Sequence, residues 1–137
     1  MEIGIGISLA LAVGIFASAV GFDRDRAFYP TVLVVISSYY GLFAVMAGTL
    51  PGLSAEGAAF AIFLAAAVIG FRSSLWLVVA ALAGHGLFDV IHAHIITNPG
   101  LPAWWPMFCL GYDLTAAGYL AWRLLSAQRS RFMHTST

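Results

Sequence analysis

Residues 75–97 read LWLVVAALAGHGLFDVIHAHIIT, and this segment sets the class of protein. A bilayer core of about 30 Å needs about 20 apolar residues in one helix, and the segment is long enough to supply them. Asn98-Pro99-Gly100 follows it directly and favours a turn. The segment therefore predicts a membrane-spanning helix that carries histidine and aspartate side chains.

Composition extends this prediction to the whole chain. Of its 137 residues, 61% are hydrophobic and only 9% are charged, and the mean hydropathy is +0.93. Soluble domains carry about 25% charged residues, so a water-soluble globule and a disordered chain are excluded. The net charge is zero and the six basic residues are all arginines, which excludes a nucleic-acid-binding surface. We predict a single transmembrane domain over residues 1–137.

Five apolar runs are long enough to cross a membrane. We predict an all-α fold, a polytopic bundle of five transmembrane helices over about 3–21, 31–50, 54–71, 75–97 and 107–128. Because proline and glycine interrupt helices, we expect Pro51-Gly52 to end the second helix and Pro106 to lie just ahead of the fifth.

The arginines predict the orientation of the bundle. With five spans they all fall on one side of the membrane, whereas a four-span arrangement would divide them between the two sides. The positive-inside rule makes the arginine side cytoplasmic, so the N-terminus is predicted outside and the C-terminus in the cytoplasm. Trp104 and Trp105 then lie at the outer interface, a level that tryptophan favours. The arginines are Arg24, Arg26, Arg72, Arg123, Arg129 and Arg131.

Ionisable side chains inside the membrane are the candidate functional residues, because each costs about 2.5–3.5 kcal/mol at a helix centre. His85, Asp89 and His92 stand at positions i, i+4 and i+7 and share one face of the fourth helix. The helical rise of about 1.5 Å per residue places Asp113 at nearly the depth of Asp89. The same estimate adds Tyr40, Glu56 and Cys109 from three helices. We expect these side chains to converge on a polar pocket in the outer half of the bilayer.

Several roles suit these side chains. His85, Asp89 and Asp113 are the predicted catalytic residues, since two neighbouring carboxyl groups in a low dielectric resist double ionisation and a histidine can shuttle the proton. The predicted ligand-binding residues are Tyr40, Glu56, His92 and Cys109. Histidine and carboxylate also bind zinc, and His85, Asp89 and His92 are the predicted ligands of a Zn²⁺ ion. His85 and His92 are about 10.5 Å apart along the axis, so a pair from the fourth helix together with Asp113 or Glu56 is the easier set. The alternative is a structural network whose members only satisfy one another.

These residues leave three functions open. The first is a pocket that binds, and in one version chemically converts, a small lipophilic molecule; whether the chain is an enzyme stays open. The second is an oligomeric proton-coupled transporter or channel with the same residues as a proton relay. The third is a structural subunit of a membrane complex. Membrane lipid is an expected partner, and the small residues Ala10, Gly14 and Ser18 suit either internal packing or a homo-oligomer.

Three motifs carry a resemblance to known proteins: RDRAFYP at residues 24–30, HGxxDxxH at residues 85–92 and PxWWP at residues 102–106. Together they resemble a group of small bacterial five-helix inner-membrane proteins of no assigned activity. That resemblance covers nearly the whole chain and implies a multi-pass protein of the bacterial inner, cytoplasmic membrane. His85 and Asp89 are also faintly similar to the His-x-x-x-Glu of the EXPERA, sterol-isomerase-like membrane proteins, which bind lipophilic amines and sterols. The acid and the helix number differ, so their function is not carried over.

Overall fold

The computed structural model describes residues 1–135 and contains five α-helices and no strand within that range. The helices are α1 Glu2–Val20, α2 Phe28–Met46, α3 Leu50–Arg72, α4 Leu75–Ile95 and α5 Trp105–Thr135. The predicted all-α fold is confirmed. The side chains of Arg131, Phe132, His134 and Thr135 are not described, so Arg131, one of the arginines that predict the orientation, lies outside the described part.

Four helices, α1 to α4, are long and apolar enough to cross a bilayer. Their outward faces carry large apolar side chains whose exposure to water would be unfavourable. Ile62 on α3 is 68% exposed and Ile15 on α1 is 59% exposed. Such a surface is what contact with lipid tails requires. The chain therefore folds as a membrane protein, with α5 as a fifth, less apolar helix.

Two of the predicted helix boundaries are wrong, and both errors involve a proline. α2 ends at Met46, and Pro51-Gly52 does not end it but lies in the first turn of α3. Pro106 likewise lies in the first turn of α5. Proline is tolerated there because its missing N–H would have no partner inside the helix. The turn between α2 and α3 is made instead at Gly48, whose φ of +68° favours glycine.

Packing places α5 between α1 and α4, and α4 in contact with three other helices. α5 packs most extensively against α1 and α4, while α2 packs against α3, and α3 against α4. Small residues let α1 approach α5 closely, since Gly6 faces the Phe108 backbone and Gly14 faces the Tyr119 ring. The α1 stripe that includes Ala10 and Gly14 is therefore used for internal packing.

The two ends of the bundle differ in chemistry. Arg26 at the start of α2 donates hydrogen bonds to the carbonyl oxygens of Gly70, Phe71 and Ser73, where α3 ends. Arg123 donates to Asp23, at 3.1 Å. These contacts gather the α1–α2 connection, the α3–α4 connection and the second half of α5 at one end, which we call the arginine end. The opposite end, built from the α2–α3 and α4–α5 connections, is called the tryptophan end.

The apolar core fills the half of the bundle that is nearer the arginine end. Its members come from the first halves of α2 and α4, the last part of α3 and the middle of α5. They are Tyr29, Leu33, Ile36, Ala67, Val78, Leu82, Ala116, Ala117 and Leu120. The buried histidine side chains, and the acidic side chains that are buried on α3, α4 and α5, lie in the other half.

Candidate functional site

Five ionisable side chains are buried in the half of the bundle nearer the tryptophan end. Each is at most 1% exposed, and they come from three helices: Glu56 on α3, His85, Asp89 and His92 on α4, and Asp113 on α5. They lie about 5–15 Å along the helix axes from the tryptophan end, at about 1.5 Å per residue. The predicted convergence of several helices on one polar layer is what the structure contains.

Three of these side chains form a group that we call the central cluster: His85, Asp89 and Asp113. His85 Nδ1 lies 2.7 Å from Asp113 Oδ2 and 3.7 Å from Asp89 Oδ2. Tyr40 donates a hydrogen bond of 2.5 Å to Asp89 Oδ1. Gly86 allows this approach of α5, because a Cβ at that position would stand only 3.2 Å from the Asp113 Cβ.

The other two ionisable side chains form the Glu56–His92 pair. His92 Nε2 lies 2.8 Å from Glu56 Oε1. Asn98, just after α4, donates to the same Glu56 oxygen at 2.8 Å and to the Tyr40 carbonyl oxygen at 3.0 Å. The Tyr40 ring stacks against the His92 ring with centroids 4.3 Å apart. Tyr40 therefore joins the pair to the central cluster.

The structure changes the predicted set of metal ligands. Predicted zinc ligands were His85, Asp89 and His92, but His92 turns to Glu56. The three ligand atoms that lie within 4.8 Å of one another belong to His85, Asp89 and Asp113. The reason is geometric, since seven residues of helix separate His85 from His92 by about 10.5 Å along the axis.

Each half of the network contains buried polar atoms without a hydrogen-bond partner among the described residues. These atoms are Asp89 Oδ2 and Asp113 Oδ1 in the central cluster, and Glu56 Oε2 and His92 Nδ1 in the pair. An unsatisfied buried polar atom costs about 1–3 kcal/mol, and a charged one more. These buried atoms are therefore available to bind a proton or an ion.

An apolar groove of about 1120 Å³ lies between α1, α2 and α5. It exists because α1 and α2, although consecutive in the chain, pack little against each other. Representative lining residues are Leu9 on α1, Val35 and Tyr39 on α2, and Cys109 and Tyr112 on α5. The sequence does not predict this groove, because the groove depends on the spacing of two helices and no residue pattern encodes that spacing.

The groove lies directly in front of the central cluster. Cys109, which lines the groove and is 2% exposed, is one helical turn before Asp113. Tyr39 lines the groove as well, and its neighbour Tyr40 bonds Asp89. The predicted single polar pocket is therefore divided into an open apolar groove and a closed polar cluster behind its wall.

Comparison of the chain with protein-family models, with curated proteins and with solved structures gave no match. The resemblances that the sequence motifs carry stay predictions, and the functional argument rests on the geometry of the site.

Proposed function

We propose that the chain is a five-span protein of the bacterial inner membrane, with its N-terminus outside and its C-terminus in the cytoplasm. Support for the fifth span comes from packing, because α5 lies between α1 and α4, which both have the length and composition of membrane spans. Support for the orientation comes from the arginine end, which collects Arg26, Arg72 and Arg123 on one side. The central cluster then lies in the outer half of the bilayer.

We infer further that the protein binds a small lipophilic molecule in the groove between α1, α2 and α5. The observation that carries this proposal is the position of a large apolar groove against a buried cluster of His85, Asp89 and Asp113. Ligand sites are commonly 300–1,000 Å³, mostly apolar, with a few convergent polar groups. The groove supplies the apolar volume, and the central cluster supplies the polar working residues behind Cys109 and Tyr112.

Filling the groove tests this proposal. Val35 lines the groove and is 46% exposed, whereas Val68 on α3 lies outside it and is 45% exposed. Val35→Trp should block the groove, and Val68→Trp is the matched control because it adds the same side chain at an equally exposed lipid-facing position. We expect native mass spectrometry of the protein in detergent to detect a retained lipophilic molecule with wild type and Val68→Trp, and much less with Val35→Trp. Equal retention by all three proteins would contradict the proposal.

Fewer observations support the alternative function, proton-coupled transport, than support the binding of a lipophilic molecule. Hydrogen bonds join Asn98 to Glu56 and Glu56 to His92, and another joins Tyr40 to Asp89. The His92 ring stacks against the Tyr40 ring between these two groups, and polar side chains so placed would suit proton movement in half of the bundle. A transporter needs access from both sides, and the apolar core around Leu33 and Leu82 closes the other half. This function would require the core to open.

A further inference from the structure

The central cluster places two carboxyl groups side by side in the interior, with the His85 imidazole between them and no lysine or described arginine side chain next to them. Asp89 is 1% exposed and Asp113 is 0% exposed. The chain has no lysine, and the arginines with described side chains belong to the arginine end. Burial of uncompensated carboxylates is costly, so a positive charge or protons must balance them.

We propose that His85, Asp89 and Asp113 bind a divalent transition-metal ion, with Zn²⁺ as the leading candidate. Two carboxylates, a neutral imidazole and one M²⁺ ion sum to zero charge, which the membrane interior favours. Nitrogen and carboxylate oxygen are the ligand types that Zn²⁺ accepts. Three protein ligands leave a fourth position free, an arrangement typical of catalytic rather than structural zinc sites.

The distances suit such an ion after small side-chain movements. Zinc bonds to nitrogen and oxygen of about 2.0–2.2 Å put neighbouring ligand atoms of a tetrahedral site about 3.3 Å apart. His85 Nδ1 lies 3.7 Å from Asp89 Oδ2, slightly wider than that spacing. It lies 2.7 Å from Asp113 Oδ2, slightly narrower. The ion would replace the proton that now joins His85 to Asp113.

Two further observations point to a ligand. Asp89 Oδ2 and Asp113 Oδ1 are buried and have no hydrogen-bond partner among the residues described. Tyr40 donates a hydrogen bond to the other Asp89 oxygen and thereby orients the carboxyl group, as hydrogen-bond partners of metal ligands commonly do. The Glu56–His92 pair and Asn98, which is half-buried, provide a polar route from the tryptophan end.

Cobalt titration tests the site directly. Tag-free protein in detergent is stripped with a chelator and titrated with Co²⁺, whose visible absorption reports its coordination geometry, and Zn²⁺ is then added as competitor. We expect one Co²⁺ per chain in wild type, displaced by Zn²⁺, and loss of the signal in Asp113→Asn. Tyr40→Phe keeps all three ligands but removes the hydrogen bond that orients Asp89, so we expect it to bind Co²⁺ about 10–100-fold more weakly, the usual effect of losing a hydrogen-bond partner of a metal ligand.

A control variant separates this site from a histidine outside it. His94→Gln changes an exposed histidine on the same helix. It should keep one bound Co²⁺. Failure of wild type to bind Co²⁺, or binding that survives Asp113→Asn and disappears in His94→Gln, would overturn the proposal. If Asp113→Asn does not fold, unchanged affinity in Tyr40→Phe would overturn it as well.

The metal proposal concerns the cluster that the proposed function uses, but the ion needs no molecule in the groove. Val35→Trp therefore separates the two proposals. Loss of the lipophilic molecule with retained Co²⁺ supports both, whereas absence of Co²⁺ with a retained lipophilic molecule overturns only the metal site.

Discussion

The Glu56–His92 pair shows how strongly a buried polar residue depends on its partner. His92→Leu would leave the Glu56 carboxyl group in the interior with Asn98 as its remaining described partner. Breaking a buried pair on one side costs about 3–5 kcal/mol, whereas replacement of both partners by apolar residues is often nearly neutral. We expect His92→Leu to lower the free energy of unfolding by about 3 kcal/mol, and Glu56→Leu/His92→Leu to lower it less. Unfolding in detergent followed by circular dichroism measures both.

The exposed residue His94 provides the control for this comparison. His94→Leu makes the same substitution two residues along α4, at a side chain that faces outward. It should leave stability within about 0.5 kcal/mol of wild type. A double variant that is less stable than His92→Leu would show that the pair is not the unit that stabilises this region.

For these residues, the sequence predicts the depth of each side chain but not every contact that it makes. Helical spacing was sufficient to put Asp89 and Asp113 at matching depths and His85 on the same helix face as Asp89, because rise and periodicity are fixed by backbone geometry. It did not assign His92 to Glu56, because that contact depends on the rotation of α3 about its own axis. The depth of a side chain in the membrane follows from its own helix alone, whereas the partner that it faces depends on how two helices pack.

At the scale of helices, contact between α1 and α5 depends on glycine. A Cβ on Gly6 would collide with the Phe108 backbone, whereas a Cβ on Gly4 would meet nothing within 4 Å. Over-packing of this kind costs about 1–3 kcal/mol, because a backbone atom cannot move aside as a side chain can. We expect Gly6→Ala to destabilise the protein by that amount. Gly4→Ala should be neutral or slightly stabilising, since alanine favours helix over glycine.

Thermal unfolding of the two variants in one detergent gives the comparison directly. The variants add the same methyl group to the same helix only two residues apart, so differences in helix propensity cancel. Equal melting temperatures for Gly6→Ala and Gly4→Ala would mean that α1 does not pack against α5 as described.

Helix boundaries were harder to predict than helix number. The five apolar runs follow from composition, and the structure has one helix for each run. From the sequence, Pro51 predicts the end of α2, but in the structure it lies in the first turn of α3. Proline is tolerated in the first turn of a helix and breaks a helix in its interior, so its effect depends on a position that the sequence alone does not give. The actual turn at Gly48 depends on a positive φ, which glycine permits but does not require.

At the scale of the whole molecule, the packing of α5 explains why only α1 to α4 are apolar enough to qualify as membrane spans by length and composition. It is covered by α1 on one side and α4 on the other, so less of its surface has to be apolar. Its two charged residues within the bundle are paired, Asp113 with His85 and Arg123 with Asp23. Burial against protein therefore replaces exposure to lipid, and the helix tolerates a composition below that of its neighbours.

The proposed topology makes a prediction about the two ends of α5. Ala103, just before the helix, and Ser130, near its end, are both exposed, while the native Cys109 is buried. In intact bacterial spheroplasts we expect a membrane-impermeant maleimide to label Ala103→Cys, and to label Ser130→Cys only after lysis. The unmodified chain, with Cys109 alone, should stay unlabelled and serves as the control. Labelling of both variants from the same side would show that α5 does not cross the membrane, and labelling of Ser130→Cys alone would invert the orientation. Because both cysteines flank one helix, the result tests the fifth span and its direction together.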